Sequence, residues 1–307
     1  MATLYPPLFR PTPRGCPTTE RIDTPDGDFL DIDRHGSRIG ITRKLAIISH
    51  GLEGHSRKKY VLGMARMITD LGYDAACWNQ RGCSNEPNRL PRSYHSGETN
   101  DLHSVITHCL RNNEYDEVVL IGFSMGGNQI LKYLGENSDR VPPEVMTAAT
   151  FSVPCDLSAT ERIIARPTMR IYFEYFMKGL RKEVQTKGEL FPDHVNPTLL
   201  KGIHSLRQFD ERFTAPINGF ADAEDYYTQS SSKQFLTEIR IPTLLVNAAN
   251  DPFLPSACYP TAEAEASSNL MLEMPQYGGH VGFVLNGPEN MYWSEKRTRE
   301  FLMQRFD

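Results

Sequence analysis

The sequence has no apolar run long enough to cross a membrane, and its first residues lack the features of an export signal. No stretch of about 18 apolar residues occurs in the chain, although a membrane-spanning helix needs about 20. The opening residues, Met-Ala-Thr-Leu-Tyr-Pro-Pro, contain neither a basic region nor an apolar region of the kind that a signal peptide has. We therefore expect a cytoplasmic protein without an integral membrane segment.

The chain also lacks the residue spacings of common metal sites. No two of its six cysteines are spaced as metal ligands are, so reduced thiols in a cytoplasmic protein are the favoured interpretation. His103 and His108 are five positions apart and do not share a helix face, and we expect them and His95 to be solvated. The sequence predicts no metal and no cofactor. The cysteines are Cys16, Cys77, Cys83, Cys109, Cys155 and Cys258.

There is no excess of basic residues, no internal repeat and no low-complexity tract. The 33 Lys and Arg residues are outnumbered by 38 Asp and Glu residues, which gives a formal charge of −5 and no electrostatic reason to expect nucleic acid as a partner. Hydrophobic residues make up 39% and charged residues 23% of the chain, as in a globular protein. A length of 307 residues suits one α/β core with an inserted subdomain.

Short apolar runs alternate with amphipathic helical patterns over the first half of the chain, after a Pro-rich start of about 20 residues that we expect to wrap the surface. This alternation predicts a mostly parallel sheet with helices on both faces. The predicted strands of this half are 28–34 (an antiparallel edge strand), 44–49, 73–78, 117–123 and 145–153.

The alternation stops near residue 155 and returns near residue 240. Strand patterns recur at 241–247 and 269–274, and a closing helix is predicted at 290–305. We therefore predict an α/β core formed by residues 1–154 and 238–307, with a mainly helical cap inserted at 155–237.

Residues 122–126 read Gly-Phe-Ser-Met-Gly, the G-x-S-x-G pattern of a nucleophile elbow. A serine on a tight turn between strand and helix brings the residues two before and two after it close together, where only small side chains fit. The predicted strand before Ser124 and helix after it supply this context, and we infer that Ser124 is a nucleophile. A glycine-rich turn with a structural serine is the alternative.

A serine hydroxyl needs a base, and the base needs an acid to orient it. His280 lies among glycines after the last predicted strand, and Asp251 directly follows the strand at 241–247. The order Ser124, Asp251, His280 matches the order of this elbow type. Asp156, which follows the strand before the cap, is a rival for the acid.

A tetrahedral intermediate needs backbone donors for its oxyanion. We assign these to the amide of Met125, next to the nucleophile, and to the amide of Leu52, in a glycine-containing loop at residues 50–54. We expect His50 to brace that loop.

Three further features have both a functional and a structural interpretation. Cys83 has Arg81 as a cationic neighbour but lacks an elbow, so it is a poor candidate nucleophile. Arg81 itself either faces the site or supports a turn, and the turn is favoured. The aromatic residues of 171–180 either line an acyl pocket or pack the cap onto the core.

Several segments together resemble the YheT-like branch of the α/β-hydrolases, also called the AB hydrolase 4 family. The resemblance implies the α/β-hydrolase fold and a carboxylic ester hydrolase, with eukaryotic relatives that act on medium-chain acyl esters, as acyltransferases or as phospholipases. The segments are His-Gly-Leu-Glu-Gly (50–54), Asn-Gln-Arg-Gly-Cys-Ser (79–84), Gly-Phe-Ser-Met-Gly-Gly (122–127), Asn-Gly-Phe-Ala-Asp-Ala-Glu-Asp-Tyr-Tyr (218–227), Asn-Asp-Pro-Phe (250–253) and Gly-Gly-His-Val-Gly-Phe (278–283).

The sequence therefore predicts a serine hydrolase that cleaves small acyl esters of short to medium chain length through an acyl-enzyme. Acyl transfer to an alcohol and thioester hydrolysis would use the same residues and remain alternatives. A non-catalytic binding protein on a hydrolase scaffold is a further alternative, from a different class.

Overall fold

A computed structural model describes residue 3 and residues 10–13, 16–112, 115–285 and 291–304. Within these residues, eight strands form one sheet. The strands are β1 (Thr18–Asp23), β2 (Phe29–His35), β3 (Lys44–Ser49), β4 (Asp74–Asn79), β5 (Glu117–Phe123), β6 (Val145–Phe151), β7 (Thr243–Val246) and β8 (Leu270–Glu273). Their order in the sheet is β1-β2-β4-β3-β5-β6-β7-β8, antiparallel from β1 to β4 and parallel in every other pair.

Helices cover both faces of this sheet and fill the interval between β6 and β7. This arrangement confirms the α/β class and the mostly parallel sheet that the sequence predicts. The helices are α1 (Lys59–Asp70), α2 (Thr99–Asn112), α3 (Met125–Glu136), α4 (Leu157–Ile164), α5 (Arg170–Leu190), α6 (Leu206–Phe209), α7 (Ala215–Asn218), α8 (Ala223–Ser230), α9 (Thr261–Ala266) and α10 (Trp293–Met303), with a π-helical turn, Asp210–Thr214, between α6 and α7.

The central strands are apolar on both sides because each side packs against helices. In β5, Val118 and Leu120 join the cluster that contains α2 and α3, whereas Val119, Ile121 and Phe123 join the cluster that contains α1 and α10. All five side chains are buried, and burial of such side chains contributes about 2 kcal/mol each to folding. A continuous apolar run is therefore what a strand in this position requires.

The N-terminal part of the sheet differs from the prediction. The strand expected at the edge, residues 28–34, is β2, which lies inside the sheet between β1 and β4. The edge is β1, although the sequence predicts a surface wrap up to about residue 20. Ile22 is the one buried side chain of β1, so the strand has no apolar alternation that could reveal it. The remainder of the predicted wrap lies partly outside the described residues.

Between β6 and β7 the chain forms a helical insertion, which we define as residues 157–238. Every residue of this interval is described, and none belongs to a strand. The insertion has its own apolar cluster, built largely on α5, and that cluster includes Leu52 and Phe253 from loops of the core. The insertion therefore lies on the loops that follow β3 and β7, at the carboxyl ends of the parallel strands. No helix in the described ranges is both long and apolar enough to span a membrane.

Candidate active site

Ser124 lies between β5 and α3 in a backbone conformation that L-residues rarely adopt, with φ 52° and ψ −119°. The turn is tight enough to exclude larger side chains on both sides of it. A Cβ on Gly122 would lie 2.6 Å from the Cα of Gly127, and a Cβ on Gly126 would lie 2.5 Å from the carbonyl oxygen of His50. At Gly122 the steric cause is the close approach across the turn that the sequence predicts, whereas at Gly126 it is the backbone at the end of β3. The strain at Ser124 is of the kind found at functional sites.

The structure brings the side chains of Ser124, His280 and Asp251 together. Nε2 of His280 lies 2.9 Å from Oγ of Ser124. On the other side of the ring, Nδ1 lies 2.9 Å from Oδ2 and 3.2 Å from Oδ1 of Asp251. Asp251 is buried, and its Oδ1 also accepts a hydrogen bond from the amide of Phe253 at 2.9 Å. These contacts form a continuous hydrogen-bonded chain from carboxylate to hydroxyl, the arrangement that lets an imidazole take a proton from a serine.

The loop that bears His280 is held by two side chains to which the sequence analysis assigned no role. Oδ1 of Asn250 accepts from the amides of Gly278 and Gly279, at 2.9 and 2.8 Å. Oγ of Ser152 accepts from the amide of Val281 at 2.9 Å. Val281 has a φ of 59°, so these hydrogen bonds fix a strained loop. They position the imidazole without touching it.

The rival acid, Asp156, has a different role. Its Oδ1 accepts from the amide of Ala159 at 2.9 Å and so caps the first turn of α4. In the described structure the carboxylate hydrogen-bonded to His280 is that of Asp251.

The loop at residues 50–54 passes directly beside the nucleophile. A turn is closed by the amide of Gly54, which donates to the carbonyl of Gly51 at 2.9 Å, and Glu53 has a φ of 56°. A Cβ on Gly51 would lie 3.1 Å from the Cβ of Ser124. Leu52 and Met125, the two residues predicted to supply oxyanion donors, line the same cavity as Ser124.

His50 is fully buried beneath this loop. Its Nδ1 lies 2.8 Å from the carbonyl oxygen of Gly51, and its Nε2 lies 3.2 Å from the amide nitrogen of Gln80, which donates to it. Burial lowers the pKa of His50 to about 4, so the ring is neutral at neutral pH. The contacts agree with the predicted bracing role.

A cavity of about 140 Å³ opens from Ser124 and His280 beneath the helical insertion. Residues from α5 take both of the roles that the sequence left open for 171–180. Phe176 and Leu180 line the cavity, whereas Phe173 and Met177 belong to the apolar cluster of the insertion. The side chains of Ile171 and Tyr175 are 75% and 58% exposed, and they neither line the cavity nor belong to the apolar cluster.

Two further polar groups in the wall of this cavity, Asp210 and Glu183, were not predicted from the sequence. The carboxyl of Asp210 accepts hydrogen bonds from the hydroxyls of Thr214 and Tyr227, at 2.6 and 2.7 Å. Burial raises the pKa of Asp210 to about 6. The carboxyl of Glu183 accepts from the hydroxyl of Ser93 at 2.6 Å, and burial raises its pKa too. These carboxylates are distant in sequence from the serine motif, so they could be identified only from the packing of the insertion.

The remaining candidates are structural. Arg81 is buried and pairs with Asp101 at 2.6 Å and with Asp28 at 3.0 Å, so it supports a turn, as favoured. Burial raises the pKa of the Cys83 thiol well above its ordinary value, which suppresses the thiolate that a nucleophile requires.

The prediction that His95 is solvated is wrong. Its side chain is buried between the rings of Phe220 and Tyr226, and its Nε2 lies 3.5 Å from a carboxylate oxygen of Glu98. The ring fills space between the core and α8, which the helical spacing of the three histidines could not reveal. In the ranges that the structure describes, no group of three or more His, Cys, Asp or Glu side chains could hold a metal ion.

Comparison with known proteins places the chain in a family. A family model described as alpha/beta hydrolase fold matches residues 47–287. The chain is 32% identical to the Escherichia coli (strain K12) protein YheT, named as an esterase, over 98% of this chain and 89% of that protein. It is also 32% identical to phospholipase ABHD3 of Mus musculus, over 92% of this chain and 70% of that protein.

Among solved structures, an esterase of Pyrococcus furiosus, Pf2001, matches with a TM-score of 0.64 at 17% identity, over 95% of this chain and 91% of the other. Est1E of Butyrivibrio proteoclasticus matches with a TM-score of 0.57 at 15% identity, over 94% and 99% of the two chains. These likenesses concern the fold. With the identity to YheT over almost the whole length, they establish that the chain belongs to the YheT-like branch of the α/β-hydrolase family and is a hydrolase of the esterase and lipase type.

Proposed function

We propose that this chain is a serine esterase that cleaves small carboxylic esters through an acyl-enzyme, with residues 155–237 forming a cap over the site. The observation that carries the proposal is the hydrogen-bonded chain from Asp251 through His280 to Ser124, with both nitrogen contacts at 2.9 Å. It is supported by the strained turn at Ser124. The esterase and lipase names of the relatives point to the same chemistry.

In this proposal Ser124 attacks the ester carbonyl while His280 takes its proton through Nε2. The carboxylate of Asp251 holds Nδ1–H and stabilises the imidazolium that forms. The amides of Leu52 and Met125 donate to the oxyanion of the tetrahedral intermediate. His280 then gives the proton to the leaving alcohol. A water molecule, activated by the same imidazole, releases the acid and restores Ser124.

The size of the cavity supports short to medium acyl groups. A buried cavity of about 150 Å³ in another protein accommodates benzene, which has six carbons. The present cavity has about 140 Å³, and apolar side chains such as Phe176 and Leu180 line it. We therefore propose acyl chains near this size. The six free cysteines support a reducing, cytoplasmic location.

The test is hydrolysis of p-nitrophenyl esters over a series of acyl lengths, by the wild-type protein and by Ser124→Ala. We expect the best rate at a short to medium chain and a loss of roughly 10⁴-fold or more in the variant. Labelling by a fluorophosphonate should occur in the wild type and be absent in Ser124→Ala. Folded wild-type protein that neither hydrolyses an ester nor takes the label would refute the proposal.

Two related reactions use the same acyl-enzyme and are separated by what accepts the acyl group. Adding a short alcohol to the assay distinguishes them, because an acyltransferase would form a new ester at the expense of free acid. Matched thioesters replace the p-nitrophenyl esters in a parallel series. Faster turnover of the thioester at equal acyl length would move the assignment to a thioesterase.

A further inference from the structure

The cavity beneath the insertion contains more acidic than basic groups, although most of its wall is apolar. Glu161 on α4, Glu183 on α5 and Asp210 after α6 all line it. Among its described lining residues, Lys187 is the single lysine or arginine. Three carboxyl groups and one ammonium group therefore surround the space into which Ser124 opens.

Lys187 offsets the charge of at most one of these carboxyl groups, Glu183, and it has no hydrogen left to donate to a ligand. Nζ donates to the carbonyl oxygens of Leu90, Pro91 and Arg92, at 3.2, 2.8 and 2.7 Å. An ammonium has three hydrogens to donate, so all three are engaged. Burial lowers the pKa of Lys187 to about 8, which weakens its positive charge at mildly alkaline pH.

The carboxyl groups themselves are satisfied by neutral donors. Asp210 accepts from the hydroxyls of Thr214 and Tyr227, and Glu183 accepts from the hydroxyl of Ser93. Hydroxyl donors stabilise a carboxylate but do not cancel its charge. The pKa of Asp210, raised by burial to about 6, is still below neutral pH, so its carboxyl is mainly ionised there.

Glu161 completes the set. One of its carboxylate oxygens lies 3.2 Å from the amide nitrogen of Arg207, which donates to it. The guanidinium of Arg207 instead pairs with Glu224 at 2.7 Å. The guanidinium of Arg207 is thus paired at the surface, although its charge still favours the ionised form of Asp210. The lining keeps more carboxyl groups than cations.

We propose that this cavity selects esters by charge, accepting neutral and cationic groups and rejecting esters that place a carboxylate or phosphate inside it. The inference rests on the proposed function, since it states which esters that site accepts. At an effective dielectric constant of about 20, a like charge roughly 7 Å away weakens binding about 50-fold relative to a neutral ligand. Asp210 is the side chain that determines most of this selectivity.

The first experiment compares three p-nitrophenyl esters of matched acyl length: hexanoate, the half-ester of adipate, and the ω-trimethylammonio hexanoate. Because both charged esters lose hydration, their ratio isolates the sign of the charge. We expect kcat/KM for the cationic ester to exceed that for the anionic ester by at least about 50-fold at neutral pH. The ratio compares two substrates on one enzyme, so the fraction of active protein cancels. Equal values for the two charged esters, or preference for the anionic one, would overturn the inference.

Asp210→Asn is the decisive variant, and Glu174→Gln is its matched control. Glu174 lies on α5 like Glu183, but it faces outward and pairs with Arg170 and Arg181. We expect Asp210→Asn to reduce the ratio of cationic to anionic turnover about tenfold, and Glu174→Gln to leave it unchanged. If Asp210→Asn is unstable, Glu183→Gln takes its place with the same expected direction. An unchanged ratio in both cavity variants would overturn the inference.

A binding experiment separates this inference from the proposed function. Calorimetry with Ser124→Ala protein compares hexyltrimethylammonium with hexanesulfonate, neither of which can react. Tighter binding of the cation, in a protein whose wild type hydrolyses no ester, would retain the charge selectivity and reject the esterase. Ester turnover with equal affinity for the two ions would retain the esterase and reject the selectivity.

Discussion

The carboxylates of Asp251, in the core, and Asp210, in the insertion, are satisfied in different ways. On the core side, Asp251 lies against the imidazole of His280, which becomes a cation during the proposed reaction. On the insertion side, Asp210 has only the hydroxyls of Thr214 and Tyr227 as hydrogen-bond partners in the described structure. A partner that can carry positive charge neutralises a buried carboxylate, whereas a hydroxyl leaves its charge in place. The charge of Asp251 in the core therefore positions His280, whereas the charge of Asp210 in the insertion would act on a ligand in the cavity.

The largest expected effect is a loss of activity when Asp251, the carboxylate on the core side, is substituted. Asp251→Asn removes the charge and favours the wrong tautomer of His280, so we expect kcat/KM for p-nitrophenyl esters to fall about 10³- to 10⁴-fold. An asparagine retains an oxygen that can accept from the amide of Phe253, so the fold should persist. Circular dichroism and fluorophosphonate labelling would accompany the kinetics. Activity within tenfold of wild type would show that this carboxylate is not the acid.

The next effect concerns stability in the core. Arg81 is 2% exposed and pairs with Asp28 and Asp101, which are also buried. Arg81→Met leaves these carboxylates without their cation, which should reduce the free energy of unfolding by about 3–5 kcal/mol. Urea denaturation measures the change. Arg240→Met is the control, because Arg240 pairs with Asp139 at the surface and should change stability little.

The core side could be predicted from the sequence because local patterns determine it. The run at 117–123 is the strand β5 with the same bounds, since a strand buried on both faces must be apolar throughout. The elbow at Ser124 needs glycines at fixed spacing, and a polar residue after a strand end lies at one edge of a parallel sheet. Asp251 and His280 could therefore be placed near Ser124 before any coordinates were known.

The insertion side could not be predicted in the same way. Asp210 reaches the cavity through a π-helical turn, and nothing in the local pattern indicates which face of that turn points inward. Ser152 and Asn250 hold the loop of His280 by accepting hydrogen bonds from backbone amides. Because backbone amides are present whatever the side chain, the sequence of the loop does not reveal these contacts. The edge strand β1 is polar because most of its surface is exposed. These features depend on contacts between distant segments, and single-sequence periodicity does not contain them.

A smaller expected effect on the insertion side is the influence of Asp210 on how the free energy of unfolding varies with pH. The ordinary pKa of an aspartate is 3.8, and burial raises that of Asp210 to about 6. The folded protein therefore holds this proton more tightly than the unfolded chain does, so the stability that it contributes is full below about pH 4 and is lost as the pH rises through about 6. The Asp210→Asn variant lacks this titrating carboxyl group. From about pH 4 to pH 8 its free energy of unfolding should rise relative to wild type, by on the order of 2 kcal/mol.

Urea unfolding of both proteins at a series of pH values tests this prediction. The quantity of interest is the difference between the two curves, in which all other titrations cancel. Asp139→Asn is the control, since that carboxylate is 82% exposed and its removal should give a difference that does not vary with pH. A difference for Asp210→Asn that is flat between acid and mildly alkaline pH would mean that Asp210 ionises as easily as a surface aspartate. That result would contradict the raised pKa of Asp210 but would leave its negative charge at neutral pH in place.

The smallest expected effect is at Asp156, the carboxylate that is nearest in sequence to the start of the insertion. It caps α4 through the amide of Ala159, and asparagine caps a helix about as well as aspartate does. Asp156→Asn should therefore keep kcat/KM within about twofold of wild type, whereas Asp156→Ala should cost about 1 kcal/mol of stability and leave kcat unchanged. Because the Asn variant preserves the cap and removes the charge, it separates a structural carboxylate from a catalytic one. Loss of turnover in Asp156→Asn, together with survival of turnover in Asp251→Asn, would move the acid across the cavity to the end of β6.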